Sequence, residues 1–287
     1  MIIAKTVEEV RDAIRQVRRQ GQRIGLVPTM GALHAGHYSL MGAAKADCPF
    51  VAVSIFVNPA QFGPNEDLAK YPRTLEADLA GCREHGVSLV FTPESAAMYA
   101  PDAATSIHVA RLSEHLCGAS RKGHFDGVCI VVAKLFNIVL PDKAYFGAKD
   151  YQQASVIGRM VRDLDMPLEI VVCPIIREAD GLAMSSRNRY LSPQERQQAL
   201  ALIGSLHLAD KLAKAGQRES KALIGAMRQH IATAAPLGQI DYIEVMDPDS
   251  LSPTDRLDGP VVIALAVKFS SARLIDNMRI DPTRLGG

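Results

Sequence analysis

A doubly wound parallel α/β sheet followed by a smaller α+β domain is the fold this sequence predicts. Strand-like and helix-like runs alternate through residues 1–176, which implies parallel strands joined by crossover helices. Beyond that point the order changes to two helical runs and then three strand-like runs. The length, 287 residues of which 48% are hydrophobic, suits one large domain and one small one.

The elements follow in order. Thr6 and Glu9 make a capping box, and Val7, Val10, Ile14 and Val17 keep helical spacing up to Gly21. Arg23 to Val27 reads as a buried strand ending at Pro28, and His37 to Ala46 as a helix. Phe50 to Val57 is a β-branched strand closed by Asn58-Pro59. Leu75 to His85 suits a helix and Val87 to Phe91 a strand. Val128 to Leu140 has helical length and spacing, with Asp126 as its expected N-cap. Lys143 to Phe146, Tyr151 to Leu164 and Leu168 to Val172 continue as strand, helix and strand.

This alternation is Rossmann-like, and ligands of such sheets lie at the carboxyl ends of the strands. Ser192-Pro193-Gln194-Glu195 then starts a helix, with Pro in the first turn and a second capping box. Helices over Pro193 to Ala215 and Ser220 to Ala234 precede strands at Ile240 to Val245, Val261 to Phe269 and Arg273 to Ile275. The expected domains are therefore 1–176 and 177–287.

Charge and cysteine content narrow the function. Lys and Arg total 32 against 31 Asp and Glu, which gives no basic field for nucleic acid and no membrane-binding face. The start, Met1-Ile2-Ile3-Ala4-Lys5, lacks a signal-peptide pattern, and the longest apolar runs are too short to span a bilayer. Cys48, Cys82, Cys117, Cys129 and Cys173 are scattered without ligand spacing, as fits small buried residues in a reducing cytoplasm. No GxGxxG follows the first strand and no GxxxxGK[ST] occurs, so neither a dinucleotide oxidoreductase nor a P-loop ATPase is favoured.

The chemistry concentrates after the strand at Arg23 to Val27, in Pro28-Thr29-Met30-Gly31-Ala32-Leu33-His34-Ala35-Gly36-His37. Two histidines flank a glycine at the mouth of a helix, where N–H groups and the helix dipole favour an anion. Gly36 permits close backbone approach, and the imidazoles can donate to phosphate oxygens as charge grows on them. Asn58, Gln61 and Gln153 are neutral amides just past strand ends, suited to hydroxyls and a carboxylate. Lys149, two residues past Gly147, places an ammonium at the expected ligand edge. Asp150 beside it suits ribose hydroxyls.

The His-x-Gly-His segment resembles the HIGH-type signature of nucleotidylyltransferases, and its longer wording resembles the pantothenate synthetase family. Further blocks extend the resemblance along almost the whole chain: 56–62, Tyr71-Pro72-Arg73-Thr74, 123–128, 146–153 and 177–188. The resemblance implies ATP-dependent condensation of pantoate with β-alanine through a pantoyl adenylate, with Mg²⁺, in a cytoplasmic homodimer. It implies catalytic roles for His34, His37 and Lys149, and ATP contacts from Met30, Gly31, Gly147, Asp150, Ile176, Met184, Ser185, Ser186 and Arg187. Met184 to Arg187 stands where the family has its KMSKS counterpart, with Gly181 before it allowing the loop to close. Met30, Asn58, Gln61, Gln153 and Arg121 would line the pantoate and β-alanine pocket, and Asp78 would stand near the phosphates and Mg²⁺. Ala148 replaces a family Glu and Ile130 a family Thr. Two alternatives remain at this point: a nucleotidylyltransferase acting on a phosphate acceptor, and a non-catalytic nucleotide sensor.

Overall fold

The computed structural model describes residues 1–64 and 66–283. Contacts divide the chain into two compact units. The first comprises Met1–Ala110, Arg121–Ala148 and Gln153–Ile175; the second comprises Arg111–Ser120, Lys149–Gln152 and the chain from Ile176.

In chain order the elements begin with β1 (Ile2–Ala4), α1 (Val7–Arg19), β2 (Ile24–Thr29), α2 (Ala35–Asp47) and β3 (Phe50–Ile55). They continue with α3 (Leu75–Glu84), β4 (Leu89–Phe91), α4 (Ser95–Met98), α5 (Leu116–Ser120) and α6 (His124–Val139). Next come β5 (Lys143–Gly147), α7 (Tyr151–Asp163), β6 (Glu169–Cys173), α8 (Pro193–Gln198), α9 (Ala201–Lys214) and α10 (Ser220–Ala234). The last are β7 (Gln239–Met246), β8 (Val261–Lys268) and β9 (Arg273–Ile280).

The first unit is built on a six-stranded sheet of order β1-β4-β3-β2-β5-β6, with every pairing parallel. β2 is central, and Ile24, Leu26 and Val27 are fully buried because such a strand is covered on both faces. The connections run from β2 to β3 on one side and return to β5 on the other, so the winding reverses between β2 and β5. That reversal opens a crevice at the carboxyl ends of these two strands. Thr29 and Gly147 end the strands on its two sides.

The second unit contains the antiparallel sheet β7-β8-β9. Leu202 and Leu206 of α9 and Leu223, Met227 and Ile231 of α10 share one core with Ile263, Leu265 and Val267 of β8.

Local chemistry explains where element ends differ from expectation. The capping boxes at Thr6 and Ser192 form as the sequence predicts. α6 starts at His124, with Gly123 at φ 77° before it, so Asp126 lies inside the first turn and is not the cap. Its carboxylate still meets the helix dipole, and it accepts from His108 Nδ1 at 2.8 Å. The helix expected over Pro193 to Ala215 is two helices. α8 is anchored through Glu195 to Ser270 and Ser271, while α9 buries Leu202 and Leu206. β9 runs past Ile275 to Ile280, carrying the buried polar pair Asp276 and Asn277. β1 has only Ala4 buried, too short a pattern to register as a strand.

Candidate active site

The turn after β2 is organised from below by one carboxylate. Thr29 Oγ1 donates to Ser54 O at 2.7 Å and accepts from Gly31 N at 3.2 Å, closing the end of the strand. Gly31 (φ 84°) and Ala32 (φ 50°) are both left-handed. A Cβ on Gly31 would meet Asp78 Oδ2 at 3.0 Å and Ile55 Cγ2 at 3.1 Å, so only glycine suits that position. Asp78 Oδ2 accepts from Ala32 N at 3.0 Å and Oδ1 from Leu33 N at 2.8 Å, and the Thr74 hydroxyl donates to the same carboxylate. Asp78 is 3% exposed. Its oxygens face backbone amides of the turn. Among the described residues no group of three or more His, Cys, Asp or Glu is arranged to hold a metal.

His34 and His37 fix one another. His34 is the N-cap of α2, and its Nδ1 accepts from Gly36 N at 3.2 Å. His37 Nδ1 accepts from His34 N at 3.3 Å, and the rings sit 4.1 Å apart between centroids. An acceptor at Nδ1 puts the proton of a neutral imidazole on Nε2. Both rings thus carry the tautomer whose Nε2–H donates, at the N-terminus of a helix that already favours anions.

The amides expected to bind the acid divide into two kinds. Asn58 is 1% exposed and its amide is fully used within the protein. Nδ2 donates to Gln61 Oε1 (3.1 Å) and Gly127 O (2.9 Å), while Oδ1 accepts from Ala60 N (3.2 Å) and the Tyr99 hydroxyl (2.8 Å). Asn58 thereby orients the Gln61 amide. Gln61 Nε2 donates to Met30 Sδ at 3.0 Å, a weak acceptor that a carboxylate or hydroxyl readily replaces. Gln153 lies partly exposed in the first turn of α7.

Arg121 is likewise occupied. Its Nε and Nη2 donate to the two carboxylate oxygens of Glu66 at 2.6 Å each, and Nη1 donates to His124 Nε2 at 2.8 Å. His124 Nδ1 in turn donates to Gln61 O at 2.8 Å, so this imidazole is a neutral strut. Burial opposes the charge on Glu66, but Arg121 holds its carboxyl below the usual range. Arg121 Nη2 also donates to Gln61 O at 3.3 Å, bracing the Pro59–Gln61 turn.

In the second unit, Lys149 and Asp150 belong to the 3₁₀ turn Ala148–Asp150, with Lys149 Nζ 3.7 Å from Asp150 Oδ1. Residues 176–184 form a hairpin. Arg177 pairs with Ala183, Met184 N donates to Ile176 O, and Gly181 (φ 97°) makes its turn. The segment expected to be a loop continues as the 3₁₀ helix Ser186–Tyr190, capped by Ser185 Oγ accepting from Arg187 N. Asn188 Nδ2 donates to Glu178 Oε1 at 2.7 Å, tying that helix to the hairpin.

Several groups escaped the sequence reading: Tyr99, Glu66, Asp276 and Asn277. Each acts through a partner distant in the chain or hidden by the fold, so no local motif announces it. All five cysteines are free and buried, and burial raises the Cys82 thiol to about 11 and the Cys129 thiol to about 12. Neither supplies a thiolate nucleophile near neutral pH.

A family model described as pantoate-beta-alanine ligase matches residues 2–279. The pantothenate synthetase of Moorella thermoacetica is 53% identical over 281 residues, covering 98% of this chain and 99% of that protein. Among solved structures, pantothenate synthetase from Thermus thermophilus superposes with a TM-score of 0.92 at 44% identity, covering 97% of this chain and 99% of that one. A pantoate-beta-alanine ligase from Francisella tularensis, complexed with beta-gamma ATP and beta-alanine, gives a TM-score of 0.81 at 33% identity over 100% of both chains.

Proposed function

The chain belongs to the pantoate–β-alanine ligase family, and from that premise we propose how its residues divide the work of joining pantoate to β-alanine with ATP. Pantoate's carboxylate oxygen bonds to the α-phosphorus of ATP as the bond to pyrophosphate breaks. The β-alanine amine then attacks the carbonyl carbon of pantoyl adenylate, loses a proton, and AMP leaves with the carboxylate oxygen.

The observation that carries the assignment of roles is the reciprocal capping of His34 and His37. It commits both rings to Nε2–H donation before ATP arrives, and donors that need no reorientation stabilise charge as it develops. Gly31 and Met30 bring backbone close to the nucleotide, beside Gly147 at the end of β5. The Lys149 ammonium meets the phosphate being transferred, and Asp150 takes ribose hydroxyls. Ile176 contacts the nucleotide, and Met184, Ser185, Ser186 and Arg187 grip the β- and γ-phosphates, Arg187 through its fork of donors. Closure of residues 181–188 would keep water from the anhydride.

Pantoate is held by Gln61, which exchanges its thioether partner for substrate, and by Gln153, with Met30 beside them. Asn58 and Arg121 hold Gln61 in place. Magnesium, brought in with ATP, would offset triphosphate charge.

We place the enzyme in the cytoplasm, where buried unpaired thiols remain reduced. No described helix is long and apolar enough to cross a membrane. A homodimer is supported by the resemblance and by the edge strand β6, whose Val172 is exposed. Sedimentation reports its mass directly.

The function is tested by incubating the protein with ATP and a panel of hydroxy acids, with and without β-alanine. The expected result is AMP and pantothenate in equal amounts, with pantoate required. ATP turnover indifferent to pantoate would overturn the assignment.

A further inference from the structure

The adjacent residues Asp276 and Asn277 on β9 are buried and polar in the middle of a strand, a costly arrangement unless both are bonded. Each is bonded, and to a different part of the phosphate-handling machinery. Asn277 Nδ2 donates to Lys149 O at 2.9 Å, across 128 residues of sequence. Asp276 accepts from both guanidinium arms of Arg177, at 2.7 Å and 3.0 Å, and its Oδ1 also takes Asn277 N at 2.8 Å. Arg177 Nη1 donates in addition to Gly181 O at 3.1 Å, so Asp276 reaches the turn of the hairpin through one side chain. That hairpin delivers the chain directly into Met184, Ser185, Ser186 and Arg187.

The consequence lies in what these bonds fix. Lys149 sits in a 3₁₀ turn of three residues that runs directly into α7 at Tyr151. A buried amide pinning its carbonyl sets where the lysine stem starts and limits the arc its ammonium can sweep. The neighbouring Asp276 sets the hairpin through a bidentate, charge-assisted contact. Because the two residues are adjacent on one strand, and the backbone N–H of Asn277 donates to Asp276 Oδ1, the turn and the hairpin are held in a common frame.

We infer that the Asp276–Asn277 pair is a positioning device for adenylation, with Asn277 acting through Lys149 and Asp276 through the Arg177 hairpin. This rests on the catalytic reading of Lys149 proposed above. Neither residue touches the reacting atoms. A shift of about 1 Å in a group that meets the transition state costs on the order of 100-fold in rate.

The experiment is pantoate-dependent pyrophosphate exchange into ATP, measured for Asn277→Ala, Lys149→Ala and the double variant, with melting temperatures alongside. Asn277→Ala is expected to lower the exchange rate constant roughly 10- to 100-fold, with the Michaelis constant for pantoate within about twofold of the parent. In the Lys149→Ala background the same change should cost less than about threefold, because its route of action is already gone. Asn277→Leu, which fills the volume without a donor, should behave as Asn277→Ala and covers a variant that folds poorly. Parental exchange in a folded Asn277→Ala or Asn277→Leu protein would overturn the inference. So would an undiminished loss in the Lys149→Ala background, which marks a general structural role. Full exchange by Lys149→Ala itself would instead sink the reading of Lys149, a separable result.

Discussion

His34 and His37 illustrate how much a backbone can decide about a side chain. Each Nδ1 accepts a backbone N–H within the same turn, so the tautomer is set by the helix cap and not by the ligand. Replacing either with Ala should lower turnover by about 10²- to 10³-fold, the cost of a lost donor to developing charge. The double variant, if folded and still near parental turnover in a steady-state assay, would remove both from the mechanism. Asp78 carries the complementary prediction. Asp78→Asn replaces an acceptor oxygen by an amide donor facing Ala32 N or Leu33 N, so the turn should loosen. Turnover and melting temperature should fall, while the Mg²⁺ concentration for half-maximal rate stays within about twofold; a metal ligand would shift it far more. The histidines were legible because their partners lie within three residues, whereas Asp78 meets Leu33 across 45 residues. A sequence read locally sees an acid on a helix and has no means of seeing the amides it serves.

At the scale of elements, α6 and the Pro59–Gln61 turn meet through glycine. A Cβ on Gly127 would collide with Ala60 O and with Gln61 N, so the helix lies against the turn only because that side chain is absent. Asn58 Nδ2 donates to Gly127 O in the same contact. Gly127→Ala should therefore displace Gln61 and raise the Michaelis constant for pantoate about tenfold or more, with little change for ATP. Equal, parental constants for both substrates would contradict the role given to Gln61.

In the second unit, Asp241 on β7 joins Lys268 of β8, Arg273 of β9 and Ser120 of α5. Burial works against its charge, but these three partners outweigh it and bring the carboxyl down to about 2. A folded-state value below the unfolded one, about 4, means the contribution is present above pH 4 and is lost as pH falls towards 2. Asp241→Asn should remove about 2 kcal/mol of that pH dependence, read as a smaller drop in unfolding free energy as pH falls from neutral towards 2. An unchanged drop would contradict it. The helices and long strands of both units were legible because hydrophobic spacing reports burial directly. β9 was cut short at Ile275 because Asp276 and Asn277 interrupt the apolar alternation, and their partners in Lys149 and Arg177 lie far back in the chain.

At the scale of the whole molecule, the chain holds a parallel sheet ending in anion donors and a second unit carrying a lysine and a hydroxyl-rich 3₁₀ helix. Among the described residues no activated nucleophile stands out: burial pushes the thiols of Cys82, Cys129 and Cys173 upward, away from the thiolate. In the family's reaction pantoate itself attacks ATP, and the enzyme contributes placement and charge stabilisation. That scheme fixes the fate of a single atom. With pantoate carrying ¹⁸O in both carboxylate positions, mass spectrometry of the AMP formed in the complete reaction follows that oxygen. The account predicts one ¹⁸O in each AMP and one remaining in pantothenate. Unlabelled AMP, with both labelled oxygens elsewhere, would mean that no pantoyl adenylate forms.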